Sequence, residues 1–124
     1  MMKFGYFSVR TDDLAASFSF YTNILGFTET ERFTPSPGVN IIFLKLDEVT
    51  LELYEAPGTF TKGEGSIPMF GLFVDDLEAA MQTVKDAGYE WINPAPVPAW
   101  DDGIRMIGVR GPSGEHVKLV QKQK

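Results

Sequence analysis

The sequence predicts an α+β fold made of two paired strand-helix-three-strand units, and three observations carry that prediction. The triplet Asp-Asp-Leu occurs twice, beginning at positions 12 and 75, and each time it follows a short apolar strand and opens an amphipathic stretch. A glycine closes each stretch, Gly26 and Gly88, so the repeat spans about half of the 124 residues. Beyond each glycine the apolar pattern changes from a helical period to alternation, as strands require.

Taken in order, "KFGYFSV" reads as the first strand. "DDLAASFSFYTNILGF" follows as a helix of about three turns, with Leu14, Phe18, Tyr21 and Leu25 on one stripe and Thr11 or Asp12 as its N-cap. Gly26 stops it by taking a left-handed conformation. "GFTETERFT", "NIIFLKLDE" and "VTLELYEA" are the three strands of the first unit. In the second, "PMFGLFV" is the strand, Leu77, Met81 and Val84 form the inward helix stripe, and "YEWINP", "IRMIGVR" and "EHVKLVQK" are the strands that follow. "NPAPVPAW" is too rich in proline for a central strand and is expected as a stiff loop. The expected organisation is a single domain over 1–124, with repeats at about 1–57 and 67–124 and a linker at about 58–66.

The composition, 44% hydrophobic and 23% charged, is that of a globular chain, and no apolar run approaches the ~20 residues that span a bilayer. The net charge of −6, without a basic stripe, disfavours nucleic acid and anionic membranes as partners. The absence of cysteine excludes disulfides, thiolate metal sites and a cysteine nucleophile. The N-terminal "MMKFGYFSVRTDDL" shows no secretory pattern, so a cytoplasmic location is expected.

Strand side chains alternate, so each sheet has one face for its helix and one that is free. Leu51, Leu53, Ile42, Leu44, Leu46, Phe70, Leu72, Val74, Val117 and Leu119 form the helix-facing set. The opposite parity holds Tyr6, Ser8, Phe43, Lys45, Glu52, Tyr54, Met69, Gly71, Phe73, Met106, His116 and Lys118. A face of aromatics, thioethers and a few charges suits a ligand cleft, or an interface between the units.

The two units, the helix "DDLAASFSFYTNILGF" and the last hairpin "GPSGEHVKLV" together resemble the vicinal oxygen chelate superfamily, which includes glyoxalases, bleomycin-resistance proteins, fosfomycin-resistance enzymes and extradiol dioxygenases. The hairpin departs from that family's usual Asp-Pro-Asp-Gly by reading Gly-Pro-Ser-Gly. The resemblance implies paired βαβββ modules around a cleft. In metal-dependent members four ligands, typically His, Glu, His and Glu, come from the first and last strands of the two units. Alignment on the repeat places Tyr6, Glu52, Met69 and Lys118 at those positions. Only Glu52 suits a divalent ion: tyrosine must lose a tightly held proton, methionine prefers soft ions, and an ammonium repels cations. The resemblance therefore implies a cleft kept and a metal site lost, with no metal and no cofactor expected.

Glu52 and Lys118 would face each other in that geometry. An ion pair is one expectation for them; the other makes Glu52 a general base and Lys118 a clamp for an anion. His116, the only histidine, is expected as a contact at the cleft rim rather than a ligand or catalyst. Tyr6, Tyr54, Phe43, Phe73, Met69 and Met106 would wall the cavity, with Trp91 and Trp100 flanking the proline-rich loop. Arg105 and Arg110 are candidates for holding a ligand carboxylate. The expected function is metal-independent binding or sequestration of a small molecule, aromatic or cationic, by a homodimer of the bleomycin-resistance kind. A cationic ligand would suit an acidic mouth at Asp101 and Asp102. The alternatives are a glyoxalase-like lyase or isomerase using Glu52 as base, and a structural module with a filled cleft.

Overall fold

The computed structural model describes residues 4–58, 69–98 and 103–122. Two four-stranded mixed sheets carry the fold. In the first, β1 (Phe7–Arg10) runs parallel to β4 (Val49–Glu55), which pairs antiparallel with β3 (Val39–Leu46) and through it with β2 (Thr28–Ser36). The second repeats this order: β5 (Met69–Phe73) lies parallel to β8 (His116–Gln121), then come β7 (Arg105–Arg110) and the two-residue β6 (Val97–Pro98). The two-unit α+β architecture expected from the repeat is the observed one.

Each first strand leads into a helix through its Asp-Asp-Leu triplet, and in both units the second aspartate is the cap. Asp13 accepts from the amide of Ala16 at 3.0 Å, and Asp76 from that of Ala79 at 3.1 Å. The first cap is thus Asp13, not Thr11 or Asp12. Thr11 is buried and instead accepts from the Asp13 amide and the Ser17 hydroxyl. α2 (Leu77–Asp86) is regular, with Leu77 and Val84 buried. α1 (Leu14–Ser19) gives way to a π-helical turn at Phe20–Ile24, marked by the bond from the Leu25 amide to the Phe20 carbonyl at 3.1 Å. The extra residue in that turn buries both Phe20 and Tyr21, whereas the expected stripe held only Tyr21. Gly26 and Gly88 close the helical segments at φ 87° and 84°.

The strand expected at "YEWINP" is not formed. Trp91 makes an isolated bridge to Val109, and the paired strand falls at Val97–Pro98, inside the stretch expected to be a loop. Prolines 94, 96 and 98 deny this edge its donors, and Asn93 caps the Gly108 amide with its side chain at 2.8 Å instead. Among the described residues no helix is long and apolar enough to cross a membrane.

One core serves both units. Val9, Phe20, Tyr21, Ile42, Leu44, Leu51 and Leu53 of the first pack in the same buried cluster as Leu77, Val84, Ile107, Val109, Val117 and Leu119 of the second. Phe7 and Phe70, on the first strand of each sheet, meet edge to face at 5.2 Å. A polar tie crosses the same joint: the Tyr21 hydroxyl donates to the Glu115 carboxylate at 2.8 Å, and the Ser113 amide donates to its other oxygen at 2.8 Å. Glu115 and Ser113 are fully buried. Burial, with the charge and hydrogen bond of Glu115 added, raises the Tyr21 phenol well above its ordinary pKa, so it remains a donor.

Candidate functional site

With the helix-facing residues committed to the core, the other side of each sheet is left open, and strand register orders its side chains in rows. Across the first sheet one row reads Ser8, Glu52, Phe43 and Glu31, and the next Arg10, Tyr54, Ile41 and Phe33. Across the second sheet the rows are Met69, His116 and Arg110; then Gly71, Lys118 and Gly108; then Phe73, Val120, Met106 and Val97. The parity read from the sequence therefore places these residues on the intended side. Trp100, Asp101 and Asp102 lie outside the described residues, as does the linker beyond Gly58.

The open face is apolar and accessible. Tyr6 is 45% exposed, Met69 61%, Phe73 65% and Phe33 41%. Phe43 sits at the centre of an aromatic group, edge-on to Tyr6 at 5.1 Å and stacked with Phe33 at 6.1 Å. Lys122 holds its ammonium 4.2 Å from the centre of the Phe73 ring. Sequence parity missed Phe33, because the β2–β3 pairing shifts register at Glu29/Glu31 and Phe33/Ser36 and so breaks simple alternation along β2.

Glu52 is half-buried and accepts from the Ser8 hydroxyl at 2.5 Å. The ion pair with Lys118 expected from the sequence is not formed. Among the described residues the ion pairs are Arg32–Glu29 and Arg105–Glu78. No described residue gives Lys118 a hydrogen bond or an ion pair. Ser8 sits directly across from Glu52 in the parallel β1–β4 pair, and this local neighbour takes the carboxylate.

The two arginine candidates are otherwise engaged. Arg105 points to the helix side and contacts Glu78 of α2 at 2.9 and 3.2 Å, while Arg110 donates to the Gly114 carbonyl at 2.9 Å. The arginine that reasoning from sequence passed over is Arg10. It shares parity with Tyr6 and Ser8, is half-buried, and its Nε is buried with no hydrogen-bond partner in the described structure.

His116 is half-buried on β8, across from Met69 and Arg110. Its ring leans across Gly108, where any added Cβ would collide with Nε2, and that nitrogen is buried without a partner among the described residues. Burial, followed by the nearby charges of Lys118 and Arg110, lowers its pKa below the ordinary histidine value.

A divalent metal does not fit here. The aligned positions offer a phenol, one carboxylate tied to Ser8, a thioether and an ammonium, and among the described residues no three His, Cys, Asp or Glu side chains converge as ligands. On the helix side, a cavity of about 1000 Å³ between α2 and residues 89–94 is lined by Met81, Tyr89, Trp91 and Asn93; of the aromatics named from the sequence for the cleft, Trp91 lies here instead.

Comparison with known proteins agrees with this architecture. The YwbC protein of Bacillus subtilis (strain 168) is 25% identical over 118 residues, covering 92% of this chain and 93% of that protein. Among solved structures, a glyoxylase/bleomycin resistance protein/dioxygenase domain from Frankia sp. EAN1pec superposes with a TM-score of 0.78 at 17% identity, covering 100% of this chain and 94% of that one. The genomically encoded fosfomycin resistance protein FosX of Listeria monocytogenes superposes with a TM-score of 0.77 at 11% identity, covering 99% and 95%. At such identities these structures share the fold alone. Residues 3–119 match the family as a whole, and the chain belongs to the Glyoxalase/Bleomycin resistance protein/Dioxygenase superfamily.

Proposed function

We propose that the chain is a metal-independent small-molecule binding protein, using the open faces of its sheets to hold an aromatic ligand in the manner of bleomycin-resistance proteins. The observation that carries this reading is the exposure, on the sides away from the helices, of Tyr6 and Phe33 around the partly covered Phe43 on the first sheet and of Met69 and Phe73 on the second. Large apolar side chains gathered on one exposed face mark a surface that something covers. A flat ring would stack on Phe43 and contact the methionines without any directional bond.

The expectation of a cationic ligand draws on the aromatic walls and on an acidic mouth at Asp101 and Asp102, which lie outside the described residues. The described charges favour the other sign: Arg10, Lys118 and Arg110 outnumber Glu31 and Glu52 on these rows, in a chain whose total charge is −6. A cytoplasmic homodimer remains the proposed state, and sedimentation at several protein concentrations tests the dimer.

A second reading has one observation in its favour. Glu52 presents a half-buried carboxylate on the open face with a single short hydrogen bond, which suits a general base of a lyase or isomerase. Titration of wild type and Phe43→Ala with a panel of aromatic fragments, followed by protein NMR, tests the binding reading. It expects shifts centred on β3, β4 and β5 that weaken at least fivefold in the variant; shifts confined to the helix side would sink it. Turnover of a bound fragment that disappears in Glu52→Gln would replace sequestration by catalysis.

A further inference from the structure

On the central strand of the second sheet, Lys118 stands between two glycines, Gly71 on β5 and Gly108 on β7, directly across from it on either side. Glycine inside a strand weakens a sheet and marks places where another group comes close to the backbone. Packing does not explain Gly71. A Cβ there would meet only Lys118 and Val120, at ordinary contact distances of 3.8 and 3.9 Å, and its φ is not positive. Its bare backbone therefore leaves a hollow one side chain wide beside the lysine stem. At Gly108 the corresponding space is filled by the His116 ring.

The charge around this hollow is one-sided. β5, β8 and β7 contribute Met69, Phe73, His116, Met106 and Arg110 to the same face, and no carboxylate. Lys118 is half-buried and has no hydrogen bond or ion pair among the described residues. A partly desolvated ammonium without a counter-charge is unfavourable until an anion supplies one.

We propose that Lys118, beside the hollow over Gly71, binds the oxyanion, carboxylate or phosphate, of a small aromatic ligand. The proposal rests on the reading that the open face is the ligand-binding face, and it names the charge that the ligand carries. The aromatic part lies over the Met69 and Phe73 side of the hollow, and the anion faces the lysine.

Three probes of similar shape test it: benzoate, phenyl phosphate and the neutral benzamide. Each is titrated at low salt while the backbone amides of Gly71, Gly108 and Lys118 are followed by NMR. The expected result is that at least one anion binds tenfold or more tightly than benzamide, with shifts at those three amides; the tighter of the two identifies carboxylate or phosphate. Lys118→Met should reduce that anion to the affinity of benzamide, and Lys118→Arg should keep it within about threefold. Thermal unfolding of both variants confirms that the fold is retained, and if the methionine variant unfolds, the comparison of anion with benzamide on wild type decides alone. Equal binding of benzamide and the anions, or no loss in Lys118→Met, overturns the anion site and leaves the binding face standing. No binding by any of the three probes overturns both.

Discussion

The two units of this chain run through the same strand order and the same aspartate-capped helix start, yet they differ in how the helix continues and in what the open face carries. In the first unit the helix breaks into a π-helical turn that buries Phe20 and Tyr21, and a nine-residue β2 extends its sheet. In the second the helix is regular, and the corresponding β6 has two residues. The open face of the first sheet is aromatic with one central carboxylate; that of the second holds thioethers, glycines, a lysine and a histidine. The difference shows which features of a duplicated unit are held fixed by folding. Cap, closing glycine and helix-facing aliphatics hold the core, whereas side chains on the open face do not pack it and are free to differ between the units.

The strongest way to break the comparison is at the π-helical turn, which has no counterpart in the second unit. Phe20→Ala is expected to cost about 3–5 kcal/mol in denaturant unfolding, since the ring is fully buried against Tyr21 and Tyr89. A loss below about 1 kcal/mol would mean that the turn does not anchor the shared core. Next comes Tyr21→Phe, which keeps the ring and removes one donor from a fully buried carboxylate. It is expected to cost about 1–3 kcal/mol. Where the units agree, the effects should agree too: Asp13→Ala and Asp76→Ala are each expected to cost about 1 kcal/mol, and a large inequality would show that the two caps are not equivalent.

The smallest effect is on titration. Because burial and then Lys118 and Arg110 lower the pKa of His116 in the folded chain, the unfolded chain takes up the proton first as pH falls. The sign is therefore a loss of stability as pH drops through the ordinary histidine range, levelling off below the folded value. His116→Gln should flatten that slope. Gly108→Ala displaces the ring by crowding Nε2, so proton NMR should find the histidine pKa moved up toward its ordinary value with little change in fold. An unmoved value would show that the position over Gly108 does not set the titration.

Much of this was legible in the sequence because it depends on local chemistry. Two Asp-Asp-Leu caps, two closing glycines and strand alternation were enough for the fold and for the side on which Tyr6, Phe43, Glu52, Met69 and Lys118 stand. What escaped depends on pairing. The π-helical turn requires a carbonyl to prefer the fifth residue over the fourth, and the β2 register depends on bulges that alternation cannot see. The partner of Glu52 was misjudged for a related reason: the family geometry pointed across the site, while the parallel neighbour Ser8 lay next to it. The sequence offers Lys118 as half of a pair or as a clamp for an anion, and only the cross-strand register shows that glycines flank it.

The tie from Tyr21 to Glu115 also bears on how the chain comes apart. Aromatics of the first half and aliphatics of the second share one interior, and the phenol of one half completes the buried carboxylate of the other. Neither half can melt without exposing the other, so heat and urea should give a single cooperative transition. A chain nicked between its repeats would remain a noncovalent pair, and each repeat expressed alone would aggregate. On that expectation the two repeats fold as one cooperative unit, and neither would stand as a separate module.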